Sequence, residues 1–221
     1  MSDFASRRTM MVDTQIRPSD VTRYPIIAAM LAVPRELFVP PKLVEAAYVG
    51  ENLTLGPGRV LLEPRTLAKM LDALAIGEAD LVLDLAAGTG YSSAVVSRMA
   101  QAVVAVEPDA ELASEAETLL AEHGAGNVLV ETRPAVEGAL AHGPFDVMLV
   151  QGAVESWPDS LTAQLREGGR VAALFAAPRA GAGLGTVRLG VRIGDTIAWR
   201  DLFHAGAPVL PGFEQEEAFA L

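Results

Sequence analysis

Asp84, the glycines at 88 and 90, and Glu107 are the residues of this chain whose types and spacing point to chemistry. They fall in Asp80-Leu-Val-Leu-Asp84-Leu-Ala-Ala-Gly88-Thr-Gly90-Tyr91, and a second apolar run, Val103-Val-Ala-Val106, then ends in Glu107. Leu81–Leu85 is an apolar run of strand length, residues 91–100 read as a helix, and Ala102–Val106 as the next strand. Glycine lets the backbone turn tightly and approach a ligand with no Cβ in the way. A helix start offers unpaired N–H groups to a polar or negative group. A carboxylate closing the following strand can accept both hydroxyls of a ribose, which is the role assigned to Glu107. Strand, Gly-rich turn, helix, strand and acid together predict a nucleotide-like cofactor. Ala86, Ala87, Gly88, Gly90 and Tyr91 lie around its turn, and Pro108 beside its acid.

Two cofactor classes use this layout. A dinucleotide site wants a third glycine at G-x-G-x-x-G, where this chain has Ser93. Asp84, four residues before Gly88, also occupies a place that is usually apolar in hydride-transfer enzymes. An acid, a small-residue loop and then G-x-G resembles motif I of the S-adenosylmethionine methyltransferases. That resemblance implies that Asp84 holds the cofactor's amino-acid end, directly or through water. A dinucleotide site and a ligand-free α/β turn are the alternatives.

The elements that must position this unit follow from periodicity. Strands are expected at Leu81–Leu85, Ala102–Val106, 127–131, 145–150 and 170–175. Pro64–Leu74 reads as a helix whose Leu67, Met70, Leu71 and Leu74 share one face, with Gly77 as its C-cap. A second helix starts at Pro108-Asp109, its carboxylate suiting the positive end of the dipole, and turns Leu112, Ala116, Leu119 and Leu120 inward. Trp157-Pro158 precedes a helix with Leu161 and Leu165 one turn apart, ended by Gly168-Gly169. Alternating strands and helices predict an α/β fold with a parallel sheet. Ligands bind such sheets at the strands' carboxyl ends, so Gln151, closing the fourth strand, is a contact candidate or else a cap for the next segment. After the third strand, Thr132 is placed to hydrogen-bond an adenine edge and Arg133 to stack on it, or to face solvent. Residues 186–193 alternate strictly, turn at Gly194-Asp195 and return over 196–203 as an antiparallel hairpin. Residues 177–185 read as a small, flexible loop, and the tail from Pro208 as a surface segment of low order.

Composition narrows the function classes. In 221 residues, a hydrophobic fraction of 51% is ample for a core, and a net charge of −11 argues against a nucleic-acid partner. Without cysteine there is no disulfide framework and no thiolate zinc site, and His123, His142 and His204 form no metal-ligand spacing. No run reaches transmembrane length and the first residues lack a signal-peptide layout, so a cytoplasmic protein without a membrane partner is expected.

The N-terminal third carries a more specific likeness. Val33-Pro-Arg35-Glu-Leu-Phe38-Val-Pro40, then Ala47-Tyr48, then Leu53-Thr-Leu-Gly56 resembles the opening of the protein-L-isoaspartate O-methyltransferases. The order of parts agrees from about residue 15 to 175. The resemblance implies a Rossmann-like S-adenosylmethionine methyltransferase sheet with helices on both faces. Residues 1–62 would form an N-terminal helical extension packed on a methyltransferase domain of residues 63–221, with the C-terminal antiparallel hairpin added to the sheet. It further implies methyl transfer to the isoaspartyl carboxylate of damaged proteins or peptides, a repair activity. The chain departs from the family pattern at two places. Within Gly56-Pro-Gly58-Arg-Val-Leu-Leu62-Glu-Pro64, alignment on Pro64 puts the family's serine, which lies between cofactor and substrate, at Leu62. The family's acid after Ala-Tyr falls at Gly50, with Glu51 adjacent. Leucine cannot donate a hydrogen bond to a carboxylate, so no catalytic residue is assigned.

A carboxylate acceptor is ionised at neutral pH, with an ordinary pKa of about 4. It needs no general base, and the lack of a Ser/His/Asp or paired-carboxylate constellation fits such an acceptor. Three readings follow: isoaspartyl repair, the same fold acting on a different peptide or small-molecule acceptor, and a catalytically weak cofactor-binding protein.

Overall fold

The structure, a computed structural model, describes residues 3–176 and 184–215. Its organising layer is a seven-stranded sheet. Five parallel strands come first: β3 (Leu81–Leu85), β4 (Ala102–Val106), β5 (Val128–Glu131), β6 (Phe145–Val154) and β7 (Leu165–Ala176). The antiparallel strands β8 (Leu184–Ile193) and β9 (Thr196–Gly206) extend it, giving the order β5-β4-β3-β6-β7-β8-β9. The central strands are continuous Val/Leu/Ala runs because both faces are covered. One face packs on α3 (Pro64–Leu74), α4 (Tyr91–Val96) and the N-terminal segment, joining Met11, Ile16, Ile26, Met30 and Phe38 to Leu67, Met70, Leu71 and Val95 in one cluster. The other face buries Leu83, Leu85, Val104, Val106, Phe145, Met148, Val150 and Leu165.

The helices form where the apolar spacing called for them. α3 buries Leu67, Ala68, Met70, Leu71 and Leu74. α5 (Ala110–Glu122) buries Ala113, Ala116 and Leu120, and Asp109 caps it by accepting from the Glu111 and Leu112 amides. The N-terminal segment holds α1 (Phe4–Met11), α2 (Tyr24–Ala32) and short 3-10 turns, one of them Arg35–Phe38. It is not helical throughout. Leu53–Gly56 (β1) and Arg59–Leu61 (β2) pair as a separate antiparallel hairpin.

Several expectations are corrected. The helix after Gly90 ends at Val96 rather than residue 100, and residues to Ala100 continue as turns bonded to Val95 and Val96. Ala75 (φ 49°), not Gly77, takes the left-handed cap of α3, its N–H reaching Leu71 and Asp72, while the Gly77 amide goes to the Asp80 carboxylate at 2.9 Å. Leu165 does not lie on a helix with Leu161. The helix is the single turn α6 (Asp159–Thr162), and Leu165 opens β7 by pairing with Phe145. Gly168 (φ 73°) and Gly169 then form an irregularity inside that strand. The tail is not a loose surface segment. Leu210 and Phe213 are buried, and Leu210 N–H and Pro208 O close on Ala153, which carries β6 past Gln151 to Val154. Of the alternating residues of β8, Val187 and Leu189 are buried, whereas Ile193 is exposed at the hairpin turn. Of the loop expected at 177–185, residues 177–183 lie outside the described residues, as do Glu216 and Glu217 of the tail.

The C-terminal strands are pinned by aromatic rings. Trp199 on β9 meets Phe175 on β7 edge-on at 4.7 Å and Trp157 at 5.4 Å, and the Arg188 guanidinium lies 4.7 Å from the Phe175 ring.

Candidate functional site

The turn after β3 is built from backbone that favours glycine. Ala86, Gly88 and Gly90 have φ of 60°, 61° and 89°. Ala87 N–H reaches the Val106 carbonyl at 3.1 Å, so the turn is tied to the end of β4, and Gly90 N–H closes on Ala87 O at 3.0 Å. A Cβ on Gly88 would stand 2.6 Å from Leu55 Cδ1. The β1–β2 hairpin therefore presses directly on the turn.

Glu107 lies at the end of β4 and is fully buried. Its carboxylate accepts from the Gly88 amide at 2.6 Å and the Asp109 amide at 3.1 Å. Arg59, at the start of β2, completes the set. Its Nε lies 3.3 Å from Oε1, its Nη2 forms an ion pair with Oε2, and the same Nη2 donates to Ala86 O at 2.6 Å. Arg59 is 7% exposed and its Nη1 has no partner among the described residues. Beside this pair opens a cavity of about 250 Å³ lined by Pro57, Arg59, Ala86, Glu107, Pro108, Asp109, Ala135, Leu210 and Pro211.

Asp84 lies under the turn and not in the cavity. Its Oδ2 accepts from Ser92 Oγ and Ser93 Oγ, both at 2.6 Å, and its Oδ1 from Gln151 Nε2 at 2.9 Å. Ser93, the residue that denies the chain a third glycine, is thus spent on Asp84. Burial raises the Asp84 pKa above its ordinary value, against the opposing hydrogen bonds of Ser92, Ser93 and Gln151. Asp84 is wholly buried and Gln151 nearly so, and their side chains are bonded to each other and, through Asp84, to the two serines, so in this structure they brace the turn.

Tyr91 is also wholly buried, edge-on to Phe38 at 5.7 Å with the Arg35 guanidinium 4.9 Å above its ring. Arg35, fully buried as well, donates to Ala47 O at 2.7 Å and Leu62 O at 2.8 Å. Arg35 therefore ties the run at residues 33–40 to Ala47 of the next run while lying over the first residue of α4. Leu62 is buried, whereas Gly50 and Glu51 are exposed. Thr132 is exposed, and Arg133 is held at 3.2 Å by both Glu131 and Glu137 rather than lying over the cavity. Glu131 is shared with His142 Nε2 at 2.5 Å.

The structure thus gathers Ala86, Gly88, Glu107 and Pro108 at one place. It turns Asp84, Gln151 and Tyr91 inward and sets Arg133 apart. Arg59, Pro57, Ala135, Leu210 and Pro211 are not among the expected site residues, and neither is Asp109, expected only at the start of α5. A signal for Arg59 existed: a lone arginine directly after Gly-Pro-Gly, three residues before Leu62.

A doubly covered parallel sheet with an antiparallel C-terminal pair, a glycine turn after its central strand and a carboxylate after the neighbouring one defines a Rossmann-like methyltransferase. The chain belongs to the protein-L-isoaspartate(D-aspartate) O-methyltransferase family, whose model matches residues 6–175. It is 38% identical over 171 residues to the protein-L-isoaspartate O-methyltransferase of Koribacter versatilis, covering 77% of each chain. To that of Gloeobacter violaceus it is 38% identical over 161 residues, covering 73% of this chain and 78% of the relative. Among solved structures it is similar in fold to a protein-L-isoaspartate O-methyltransferase, with TM-score 0.81, 21% identity and coverage of 93% of this chain and 66% of the other. It is also similar to a Plasmodium falciparum beta-aspartate methyltransferase in complex with S-adenosyl-L-homocysteine, with TM-score 0.78, 15% identity and coverage of 95% and 99%. Among the described residues no helix is long and apolar enough to cross a membrane.

The family's cofactor is S-adenosylmethionine. The residues at the strand ends fit its adenosyl part. A carboxylate stands at the end of β4 with Ala86 and Pro108 beside it, and the adjoining cavity is walled mainly by apolar groups, while the open sides of Gly88 and Gly90 face Leu55 and Leu120. Among the described residues, the Arg59 guanidinium on Glu107 and Leu55 against Gly88 both stand where the cofactor would approach.

Proposed function

We propose that this chain transfers a methyl group from S-adenosylmethionine to a carboxylate, that of isoaspartyl residues in damaged proteins or peptides. The observation that supports the reading most is the meeting of the Gly88 turn and Glu107 at a strand-end cavity, in a chain matched by the family over residues 6–175. Glu107 would take the ribose hydroxyls, with Ala86, Gly88 and Pro108 flanking them. Bound there, the cofactor supplies a sulfonium methyl that is already electrophilic. An ionised carboxylate attacks without a base, so the chain's own residues position and shield rather than move a proton. The Asp84–Ser92–Ser93–Gln151 network fixes the turn, and Arg35 fixes the start of α4 against the extension. In this reading the partner is a protein or peptide and the setting is the cytoplasm.

The test is calorimetric titration with S-adenosylhomocysteine, followed by labelled methyl transfer to an isoaspartyl peptide and its normal aspartyl twin. Binding with transfer to the isoaspartyl peptide alone is expected. Loss of any binding would remove the reading. Leu62, a buried leucine at the family's serine position, favours a second reading with a different peptide or small acid as acceptor. Binding without isoaspartyl transfer would select it. Leu62→Ser should raise isoaspartyl transfer if the first reading holds.

A further inference from the structure

We propose that Arg59 is a built-in competitor for the ribose-binding carboxylate, so that the Arg59–Glu107 ion pair must open before a ribose diol can be held. The inference rests on the cofactor reading above and concerns what this chain adds to it.

An ionised carboxylate offers about four lone-pair positions. On Glu107 four donors take them: the Gly88 amide, the Asp109 amide, Arg59 Nε and Arg59 Nη2. A diol needs two. The two amides belong to the β3–α4 turn and to the residue that caps α5, and they cannot leave without unmaking those elements. Arg59 is the donor that can move. It stands on a two-stranded hairpin outside the main sheet, next to the exposed Pro57 and Gly58, and it already lines the cavity. Its hold is also incomplete, since Nη1 is buried without a partner, which costs free energy in the closed pair. Ligand and guanidinium therefore exchange on one carboxylate. Apparent affinity is the intrinsic affinity scaled by the fraction of molecules with the pair open.

The experiment measures calorimetric affinity of the parent, Arg59→Gln and Arg59→Lys for S-adenosylhomocysteine and for its 2′-deoxy analogue. Binding, not turnover, is the readout. Arg59→Gln should bind S-adenosylhomocysteine about tenfold more tightly than the parent, with Arg59→Lys between them. The gain should be much smaller for the 2′-deoxy analogue, because relief of competition at Glu107 rewards only a ligand that uses the diol. Should Arg59→Gln fail to fold with Glu107 left buried, Arg59→Lys, which keeps the charge and loses the fork, carries the comparison. Equal or weaker binding by the variants, with measurable binding by the parent, overturns the competition and leaves the cofactor reading standing. An equal gain for both ligands also overturns it, since that is removal of bulk alone. No binding by the parent or any variant removes both.

Discussion

Glu107 and Arg59 are two residues whose consequences cannot be separated. Glu107→Ala should abolish S-adenosylhomocysteine binding. It also strands a buried guanidinium, so urea denaturation should show a loss of about 3–5 kcal/mol. The mutant is therefore not a silent probe of the site, and Glu107→Gln strands the same charge, so a calorimetric null in either variant counts against binding at Glu107 only alongside a urea curve that shows it folded. Gly88→Val puts a branched side chain at φ 61° and against Leu55, and should lose binding even where the chain still folds. Asp84 is the residue whose charge the fold resists. Because its folded pKa lies above the unfolded one, the folded chain binds the extra proton between the two values. The stability contributed by Asp84 is greatest below the unfolded pKa and falls as pH rises through the window towards the folded pKa. Asp84→Asn should remove that slope, with urea midpoints compared from pH 4 to 7 as the measurement. A parent whose stability rises against the variant over that range would contradict the assignment. Glu107 as the strand-end acid was legible from sequence because a carboxylate closing an apolar run is a local pattern. Its partner was not, because Arg59 lies 48 residues away and belongs to no periodic element.

At the level of elements, the strands and the long helices could be read from apolar runs, while irregular joints could not. Gly168 and Gly169 look like a helix stop, but they sit inside β7, where Arg170 resumes pairing with Val147 after Leu165 has paired with Phe145. The β1–β2 hairpin was invisible because Leu53–Gly56 and Arg59–Leu61 are too short for a period to show. The tail failed for a related reason. Pro211-Gly212 and the following acids read as solvent-facing, yet a single Leu210 and a single Phe213 plug the sheet's second face. Phe213→Ala should therefore cost about 3–5 kcal/mol in a urea titration, the range for truncating a buried aromatic. A cost near zero would mean that the tail does not dock.

For the molecule as a whole, one hydrophobic cluster runs from Met11 and Phe38 through α3 to Leu149 and Leu174 of the sheet. We propose that the extension and the sheet fold as one cooperative unit. A fragment beginning at residue 63 should lack a cooperative thermal transition by circular dichroism, and a sharp transition in that fragment would establish an independent domain. The aromatic contacts of the C-terminal strands bear on how such experiments are read. The two tryptophans of the chain, Trp157 and Trp199, stand in one pair at 5.4 Å, on the side of the sheet that β9 extends. Neither lines the cavity beside Glu107. Intrinsic fluorescence of this protein is thus a local optical gauge of whether β9 has closed on the segment after β6. It will report the undocking of the hairpin, and a ligand beside Glu107 would reach it only through the tail, whose Leu210 lines the cavity and whose Phe213 holds Glu155 and Ser156 ahead of Trp157.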